Sequence, residues 1–219
     1  MRPYTPRPVS QRPALGCLFE VVETLVLTLV IFLGIQTFVA QPYKVQQGSM
    51  ENTLLPDQYV LVDKLTPHWA AYNHGDIVVF DPPESWSTGS GVPFIKRVIG
   101  LPGDRVELRD GKVYVNGTAL DEPYVFTDGD LVTEPAPGGA SEWLVPDGDL
   151  LVMGDHRDQS ADSRIFGPIQ ISHVIGRAWL RYWPFDTFGI LPTPSYPDLS
   201  PAPGATPTLG PSLVPAASP

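Results

Sequence analysis

The ten residues Val45-Gln-Gln-Gly-Ser-Met-Glu-Asn-Thr-Leu54 divide the chain into two parts with different sequence patterns. A long apolar run lies before them, and short runs of β-forming residues separated by turn residues follow. Within this stretch Gly48 precedes Ser49, and a glycine lets the backbone turn tightly and lets another chain approach closely. A serine in such a turn can be a nucleophile, but Gly-Ser pairs are also ordinary turn chemistry. A nucleophilic role therefore requires a base elsewhere in the chain.

The segment after Leu54 has the pattern of an antiparallel β domain. Short runs rich in Val, Ile, Leu and Tyr alternate with turn residues, which is typical of many short strands. Asp110-Gly111 separates two such runs and suits a two-residue type I′ hairpin turn. The predicted strands are 58–64, 75–80, 94–99, 105–109, 112–115, 150–153 and 175–182. Two turn-rich stretches, 82–93 and 121–142, are interpreted as surface loops.

The segment before the stretch contains an apolar run over residues 21–40. About twenty helical residues span roughly 30 Å, the thickness of bilayer hydrocarbon. A buried core helix is usually shorter and has a polar face, whereas a cleavable signal peptide has a shorter apolar region and small residues before the cut. Phe38, two residues before Ala40, is too large for such a cut. We therefore predict an uncleaved membrane anchor over residues 18–42.

The charge around this run predicts its orientation. Arg2, Arg7 and Arg12 have no offsetting acid in a basic tail predicted over residues 1–17. Positive charge before an anchor favours a cytoplasmic N-terminus, so the β domain, residues 43–190, is predicted to lie outside the cytoplasm. The last segment, 191–219, is rich in Pro, Ala and Ser and is predicted to be disordered.

Composition and charge exclude some classes of partner and cross-link. The chain has 219 residues and a net charge of −10, which argues against nucleic acid because phosphate binding requires a basic surface. Cys17 is the single cysteine, so no internal disulfide can form. The fold must therefore depend on core packing.

Histidine is the usual base for a serine nucleophile, and His156 is the best candidate of its type. It lies in the polar segment 154–164, whereas His68, His74 and His173 lie in less promising turns and loops. A triad could be formed by Ser49, His156 and an aspartate, although nothing in the spacing favours it.

The same segment could be read as a metal site. The candidate ligands are Asp155, His156, Asp158 and Asp162. Their spacing matches neither a calcium loop nor a two-histidine zinc helix, and Arg157 and Arg164 would repel a cation. We therefore expect no metal and no other cofactor.

Lys96 is the alternative base. On the predicted strand 94–99, alternation places Lys96 and Arg97 on opposite faces, so one of them points inward if either face is buried. Burial lowers the pKa of a lysine, and a neutral amine can take a proton from a serine hydroxyl. The alternative is that both side chains extend to solvent or pair with acids.

Four blocks in this order resemble bacterial type I signal peptidases, from the apolar run to about Tyr182. Each block is weak alone, but their order is specific. The blocks are Ser49-Met-Glu-Asn-Thr-Leu54, Gly75-Asp-Ile-Val-Val-Phe80, Lys96-Arg-Val-Ile-Gly-Leu-Pro-Gly-Asp104, and the pair Met153-Gly-Asp-His-Arg157 and Ser160-Ala-Asp-Ser-Arg-Ile-Phe-Gly167.

The resemblance implies a role for each matching residue. Ser49 is implied to be the nucleophile and Lys96 the general base. Ser160 occupies the position whose hydroxyl orients the lysine amine. The remaining positions are Asp162 and Arg164, which match a supporting ion pair, Asp155, which matches a structural acid, and Met50, which matches a residue near the substrate pocket. The family fold is a mainly β domain of packed antiparallel sheets.

Three positions depart from the family pattern. Asn52 stands where proline is usual, which predicts a looser turn after the nucleophile. His156 stands where asparagine is frequent and is interpreted as a substitution, not a catalyst. Gln47 stands two residues before the nucleophile, where serine or glycine is frequent, and is a possible oxyanion donor through its side-chain amide.

The resemblance, together with the apolar run, implies a single-pass membrane serine endopeptidase that removes signal peptides from exported preproteins after small residues. Its partners would be those signal peptides and membrane lipid. Two alternatives are a self-cleaving Ser-Lys protease of similar fold and an inactive anchored β module that binds secreted partners. The set Ser49, Lys96 and Ser160 argues against the inactive module.

Overall fold

The computed structural model describes residues 14–65, 71–86, 91–126, 132–197 and 199. Two units are distinguished, Met1–Val39 and Ala40–Pro219. The basic tail before residue 14, His68, and parts of both predicted loops and of the C-terminal tail lie outside the described residues.

In the first unit, the described residues form a helix, α1 (Ala14–Phe38). Its apolar side chains between residues 18 and 33 are exposed. Among the described residues, however, no helix has both the length and the apolar character needed to cross a membrane, so the predicted transmembrane span is not supported. Residues 40–42, assigned to that span from the sequence, instead begin the first strand of the β unit, because their backbone pairs with a neighbouring strand.

The second unit is mainly β, as predicted. Its strands are β1 (Ala40–Lys44), β2 (Tyr59–Asp63), β3 (Ile77–Phe80), β4 (Phe94–Gly100), β5 (Arg105–Arg109), β6 (Lys112–Val115), β7 (Thr118–Ala119), β8 (Glu142–Leu144), β9 (Asp149–Met153), β10 (Ile169–Gln170), β11 (Val174–Trp183) and β12 (Gly189–Ile190). A one-turn helix, α2 (Ser163–Phe166), precedes β10. Every predicted strand is present within a few residues of its expected bounds, and the short strands β1, β7, β8, β10 and β12 are additional.

Two antiparallel sheets build this unit. The larger has the order β1-β2-β11-β3-β4-β9-β10, with β12 beside β11, and the smaller has the order β7-β6-β5-β8. The predicted hairpin joins β5 to β6, and Asp110 and Gly111 have the φ values of 52° and 72° that a type I′ turn requires. Strand β4 lies inside the larger sheet between β3 and β9, which places its side chains in the interior on both faces.

Three apolar clusters form the core. The first joins β2, β3 and β11 and includes Met50 and Leu54 from the connection between β1 and β2. The second packs around Trp86 between β3, β4 and β9, and the third joins β9 to the smaller sheet. Trp86 and Tyr124 lie in the two stretches interpreted as surface loops, yet they are 1 % and 6 % exposed. Part of each stretch therefore belongs to the packed domain.

The beginning of the C-terminal segment is also packed, so the prediction of disorder from residue 191 does not hold there. Leu191 is 5 % exposed in the first cluster, and Tyr196 and Leu199 pack against the third. Pro194 covers Gly75, where a Cβ atom would lie 2.8 Å from the proline ring. Apolar burial by a few residues is sufficient to hold this extended segment against the domain.

Candidate active site

Ser49 lies in a short 3₁₀ turn, Gly48–Met50, that connects β1 to β2. Met50, the last residue of the turn, is fully buried in the first apolar cluster and fixes the turn against the core. Met50 is thus a core residue and does not line the small cavity described below. Ser49 is 2 % exposed, and its hydroxyl points toward β4.

Lys96 brings its amine to this hydroxyl. Lys96 Nζ lies 2.7 Å from Ser49 Oγ and 3.2 Å from the carbonyl oxygen of Ile95. The side chain is 2 % exposed, and its amine lies 5.2 Å from the centre of the Phe94 ring. Burial lowers the pKa of Lys96 from 10.5 to about 8, against the opposing effect of the Asp162 and Asp155 carboxylates. A substantial fraction of this amine is consequently neutral in mildly alkaline solution.

Arg97 points to the other face of β4 and is completely buried. It donates two hydrogen bonds to Asp155, from Nε at 2.8 Å and from Nη2 at 2.7 Å. Nη2 also contacts Thr53 Oγ1 at 3.1 Å, and the Thr53 hydroxyl donates to Asp155 at 2.5 Å. This network joins β4, the segment that follows Ser49, and the segment that follows β9.

The predicted ion pair between Asp162 and Arg164 is present. Arg164 Nε lies 2.9 Å from Asp162 Oδ1, and Asp162 is fully buried. Burial raises the pKa of the Asp162 carboxyl, but hydrogen bonds from Arg164 and from the Gly154 N–H outweigh it and the pKa is lowered. Asp162 therefore carries a negative charge that acts on Lys96, and the Arg164 guanidinium compensates that charge.

Ser160 lies near this pair but is not joined to Lys96. Its hydroxyl is buried and makes no hydrogen bond of acceptable geometry to any described residue, although it is close enough to Asp162 to favour the ionised carboxylate. The implied role of this hydroxyl in orienting the lysine amine therefore remains a prediction.

Gly154 lies between Ser49 and Ser160, and its missing side chain allows the two residues to lie close together. A Cβ atom there would lie 2.5 Å from the Ser49 carbonyl oxygen and 2.5 Å from Ser160 Cβ, and it would also collide with Ser160 Oγ. Because backbone cannot move aside as a flexible side chain does, only glycine fits between Ser49 and Ser160.

His156 does not contact the Ser49 hydroxyl. Its Nδ1 lies 2.9 Å from Glu51 Oε2, its ring stacks on Phe126, and its backbone N–H donates to the Ser49 carbonyl oxygen at 3.1 Å. The histidine triad considered from the sequence is therefore not formed. Among the described residues, no three His, Cys, Asp or Glu side chains are grouped as metal ligands.

Gln47 lines a cavity of about 30 Å³ beside the serine and lysine. Its backbone is extended and the residue is exposed. The walls of this cavity are Lys44, Val45, Gln46, Gln47, Ser49, Val92, Pro93, Phe94, Ile95 and Lys96.

Sequence reasoning missed the segment 122–126, which crosses behind the turn of Ser49. Phe126 N–H donates to the Asp155 carbonyl oxygen at 2.9 Å, and the Tyr124 ring lies 3.9 Å from the Arg97 guanidinium. Asn52 contacts the same segment from a left-handed backbone conformation, with φ of 81°. Asparagine is enriched in that conformation, so Asn52 was the one sequence signal for an unusual backbone at this point.

Comparison with known proteins shows the family to which this chain belongs. Residues 18–183 match the family model described as signal peptidase, peptidase S26. Signal peptidase I of Leptolyngbya laminosa is 38 % identical over 201 residues, covering 89 % of this chain and 96 % of that protein.

Two further relatives cover most of the chain. The probable signal peptidase I-2 of a Synechocystis strain is 34 % identical over 94 % of this chain and 93 % of its own length. Signal peptidase I of Bacillus licheniformis is 35 % identical over 77 % of this chain and 90 % of its own length. The chain therefore belongs to the signal peptidase family, peptidase S26, and is a serine endopeptidase of the signal peptidase I type.

Proposed function

We propose that this protein removes signal peptides from exported preproteins, with Ser49 as nucleophile and Lys96 as general base. The observation that carries the proposal is the 2.7 Å contact between Lys96 Nζ and Ser49 Oγ. This distance suits proton transfer, and burial lowers the pKa of Lys96 to about 8, so that a substantial fraction of the base is neutral in mildly alkaline solution. Family membership supports the same reaction class.

In the first half of the reaction, the neutral Lys96 amine takes the proton of Ser49 as Oγ attacks the scissile carbonyl carbon. The tetrahedral intermediate then collapses, the carbon–nitrogen bond breaks, and the Lys96 ammonium returns the proton to the leaving amine. The signal peptide stays attached to Ser49 as an ester. In the second half, Lys96 takes a proton from the water that attacks the ester, and the Lys96 ammonium returns that proton to Ser49 Oγ as the ester bond breaks. The released peptide acid then loses its own proton to solvent and becomes a carboxylate.

Gln47 is proposed to stabilise the oxyanion of each tetrahedral intermediate. It lines the cavity beside Ser49, and its side-chain amide carries hydrogen-bond donors. Gln47→Ala is expected to lower the turnover number by roughly a hundredfold with a small effect on KM, because the donor acts on charge that exists only in the transition state. Turnover within a few-fold of the parent would assign that role to backbone N–H groups instead.

Cleavage after small residues is proposed from the size of the same cavity. About 30 Å³ between residues 44–47 and 92–96 leaves little room for a large side chain beside Ser49. A preprotein series in which the residue before the cut changes from Ala to Leu tests this directly. Equal values of kcat/KM across the series would contradict the proposal.

Membrane anchoring and topology are proposed from the sequence. The apolar composition of residues 21–40 favours association with lipid, and Arg2, Arg7 and Arg12 favour a cytoplasmic N-terminus. Tethering would hold the active site where a translocated chain emerges. An external protease should then digest the β domain in intact spheroplasts, and protection of that domain would reverse the topology.

The deciding experiment compares the purified chain with Ser49→Ala on a model preprotein. Cleavage by the parent alone supports the proposal. If the parent cuts only itself, it is a self-cleaving Ser-Lys protease. If neither protein cuts any substrate, it is an inactive β module. The addition of a chelator should have no effect on cleavage.

A further inference from the structure

The backbone at Asn52 has to take an unusual conformation for the turn of Ser49 to continue into the core. Its φ of 81° lies in the left-handed region, where asparagine is tolerated and proline cannot fit. Hydrogen bonds from Glu51 N to Gly48 O and from Leu54 N to Met50 O, at 3.0 and 2.7 Å, define the turn on either side. Asn52 is therefore the point at which the direction of the chain after Ser49 is set.

The side chain of Asn52 connects this turn to the segment 122–126. Its Nδ2 donates to the Tyr124 carbonyl oxygen at 3.1 Å and lies 3.4 and 3.5 Å from the carbonyl oxygens of Val125 and Pro123. Thus the turn, predicted from the sequence to be looser because proline is absent, is attached to a second segment by its asparagine.

The segment 122–126 is itself held firmly. Tyr124 is 6 % exposed, with its ring on Arg97 and its hydroxyl accepting a hydrogen bond from the Tyr196 hydroxyl at 3.1 Å. Glu122 pairs with the buried guanidinium of Arg157. A segment fixed by a cation–π contact and an ion pair can serve as a rigid support.

The same segment reaches Ser49 by a second route. Phe126 stacks on the His156 ring with centroids 4.4 Å apart, and the His156 backbone N–H donates to the Ser49 carbonyl oxygen at 3.1 Å. The segment 122–126 therefore supports Ser49 through His156 and also contacts Asn52, three residues after Ser49.

We propose that the segment 122–126 is a brace for the nucleophile, and that Asn52 is the positioning residue that connects the turn of Ser49 to it. This inference rests on the proposed role of Ser49. Asn52 does not touch the reacting atoms and acts through the position of Ser49 Oγ relative to Lys96 and the substrate.

The proposal separates rate from stability. The Asn52 hydrogen bonds are exposed or partly buried, so their loss should lower Tm by no more than a few degrees. A displacement of about 1 Å at the nucleophile, in contrast, can lower a rate by roughly a hundredfold. A purely structural role would lower Tm and leave kcat of the folded enzyme unchanged.

The experiment uses the full chain with Asn52→Gly and Asn52→Asp. Glycine keeps the left-handed backbone and removes the side-chain amide, whereas aspartate keeps the size and places a carboxylate opposite carbonyl oxygens. We expect kcat to fall about tenfold in Asn52→Gly and at least as far in Asn52→Asp, with KM within about twofold and a Tm change of a few degrees.

Asp110→Gly is the matched control, because Asp110 is also a non-glycine residue in the left-handed region, with φ of 52°, but lies in the β5–β6 hairpin. It should leave kcat unchanged. A kcat within twofold of the parent in Asn52→Gly overturns the brace. Activity retained by Ser49→Ala, assayed alongside, overturns instead the proposed function on which the brace depends.

Discussion

Lys96 and Arg97 are neighbours on one strand and both are buried, but within the described ranges only Arg97 forms an ion pair. In the described part of the chain no carboxylate lies within ion-pair distance of Lys96, whose amine contacts a hydroxyl and a carbonyl oxygen. Arg97 has both oxygens of Asp155, the Thr53 hydroxyl and the Gly75 carbonyl oxygen as acceptors. Among the described residues, the Lys96 ammonium therefore has no carboxylate partner, whereas the Arg97 guanidinium is paired with Asp155.

The difference shows how a single strand can supply both reactivity and rigidity. An uncompensated buried amine loses its proton readily, which is the property that a general base requires. A guanidinium stays charged, so its burial is tolerated only when its donors are satisfied. Removal of the first side chain should therefore affect catalysis without harm to stability, and removal of the second should do the reverse.

The largest effect is expected from Lys96→Met. Turnover should fall on the order of 10⁴-fold or more, because among the described residues no other base lies at the Ser49 hydroxyl. The folded-state pKa of about 8 lies below the ordinary value of 10.5, so below about pH 8 the charged amine opposes folding. Unfolding by urea at pH 7 should show a gain in free energy of at most about 3 kcal/mol.

The same measurement at high pH provides a check on the cause of that gain. Between about pH 8 and 10.5 the unfolded chain binds the proton that the folded protein has lost, so stability of the parent rises with pH. The advantage of Lys96→Met should therefore disappear above about pH 10.5. A Lys96→Met protein that is less stable than the parent at pH 7 would contradict the account of an uncompensated cation.

The second prediction concerns Arg97→Met. This change leaves the Asp155 carboxylate buried without its cation, and the expected loss of unfolding free energy is roughly 3–5 kcal/mol. Chemical denaturation at neutral pH measures it. Arg109→Met, on an exposed side chain, is the control and should change stability by less than about 0.5 kcal/mol. Equal losses in the two variants would show that the Asp155 pair is not important for stability.

Arg97→Lys should give a smaller loss. An ammonium keeps the charge but cannot donate to both oxygens of Asp155 and to the Gly75 carbonyl oxygen in one planar arrangement. We expect a decrease in unfolding free energy of roughly 1–3 kcal/mol, measured as above. A value as large as that of Arg97→Met would mean that the geometry of the guanidinium matters and its charge does not.

The smallest effect is a shift in the pH profile of kcat/KM. The acidic limb should follow deprotonation of Lys96 in the free enzyme, with a pKa of about 8. The Asp162 carboxylate raises the pKa of Lys96, so Asp162→Asn should move this limb to lower pH. His156→Ala should leave the limb in place. A limb that moves with His156 and not with Asp162 would reassign the base.

The sequence predicted most strands of the β unit but underestimated how strand β4 is buried. Alternation places Lys96 and Arg97 on opposite faces, and the expectation that one of them points inward assumed a solvated face. Both faces are covered, because the β3–β4–β9 portion of the larger sheet packs against separate apolar clusters. Periodicity within a strand carries no information about what packs on each side of it.

The candidate site also contains residues that the sequence identified and a segment that it did not. Ser49, Lys96 and the ion pair of Asp162 and Arg164 were identified from motifs whose members are close in sequence or ordered along it. The segment 122–126 lies in an acidic stretch without a motif, and its contacts with Asn52 join positions more than seventy residues apart. Such contacts follow from the packing of the whole domain, and the sequence around either end does not specify them.

Gly154 has a consequence for how this enzyme can vary. Glycines that resist substitution are commonly attributed to special backbone angles, but the difficulty here is one of space between Ser49 and Ser160. In a saturation library at this position, selected for secretion of an essential exported protein, even alanine should be depleted. Suppressors at Ser160 should be rare, because a smaller residue there relieves one collision but leaves the one with the Ser49 carbonyl oxygen, which belongs to the backbone. Substitution at position 154 is therefore limited by the volume between Ser49 and Ser160 as well as by the chemistry of the site.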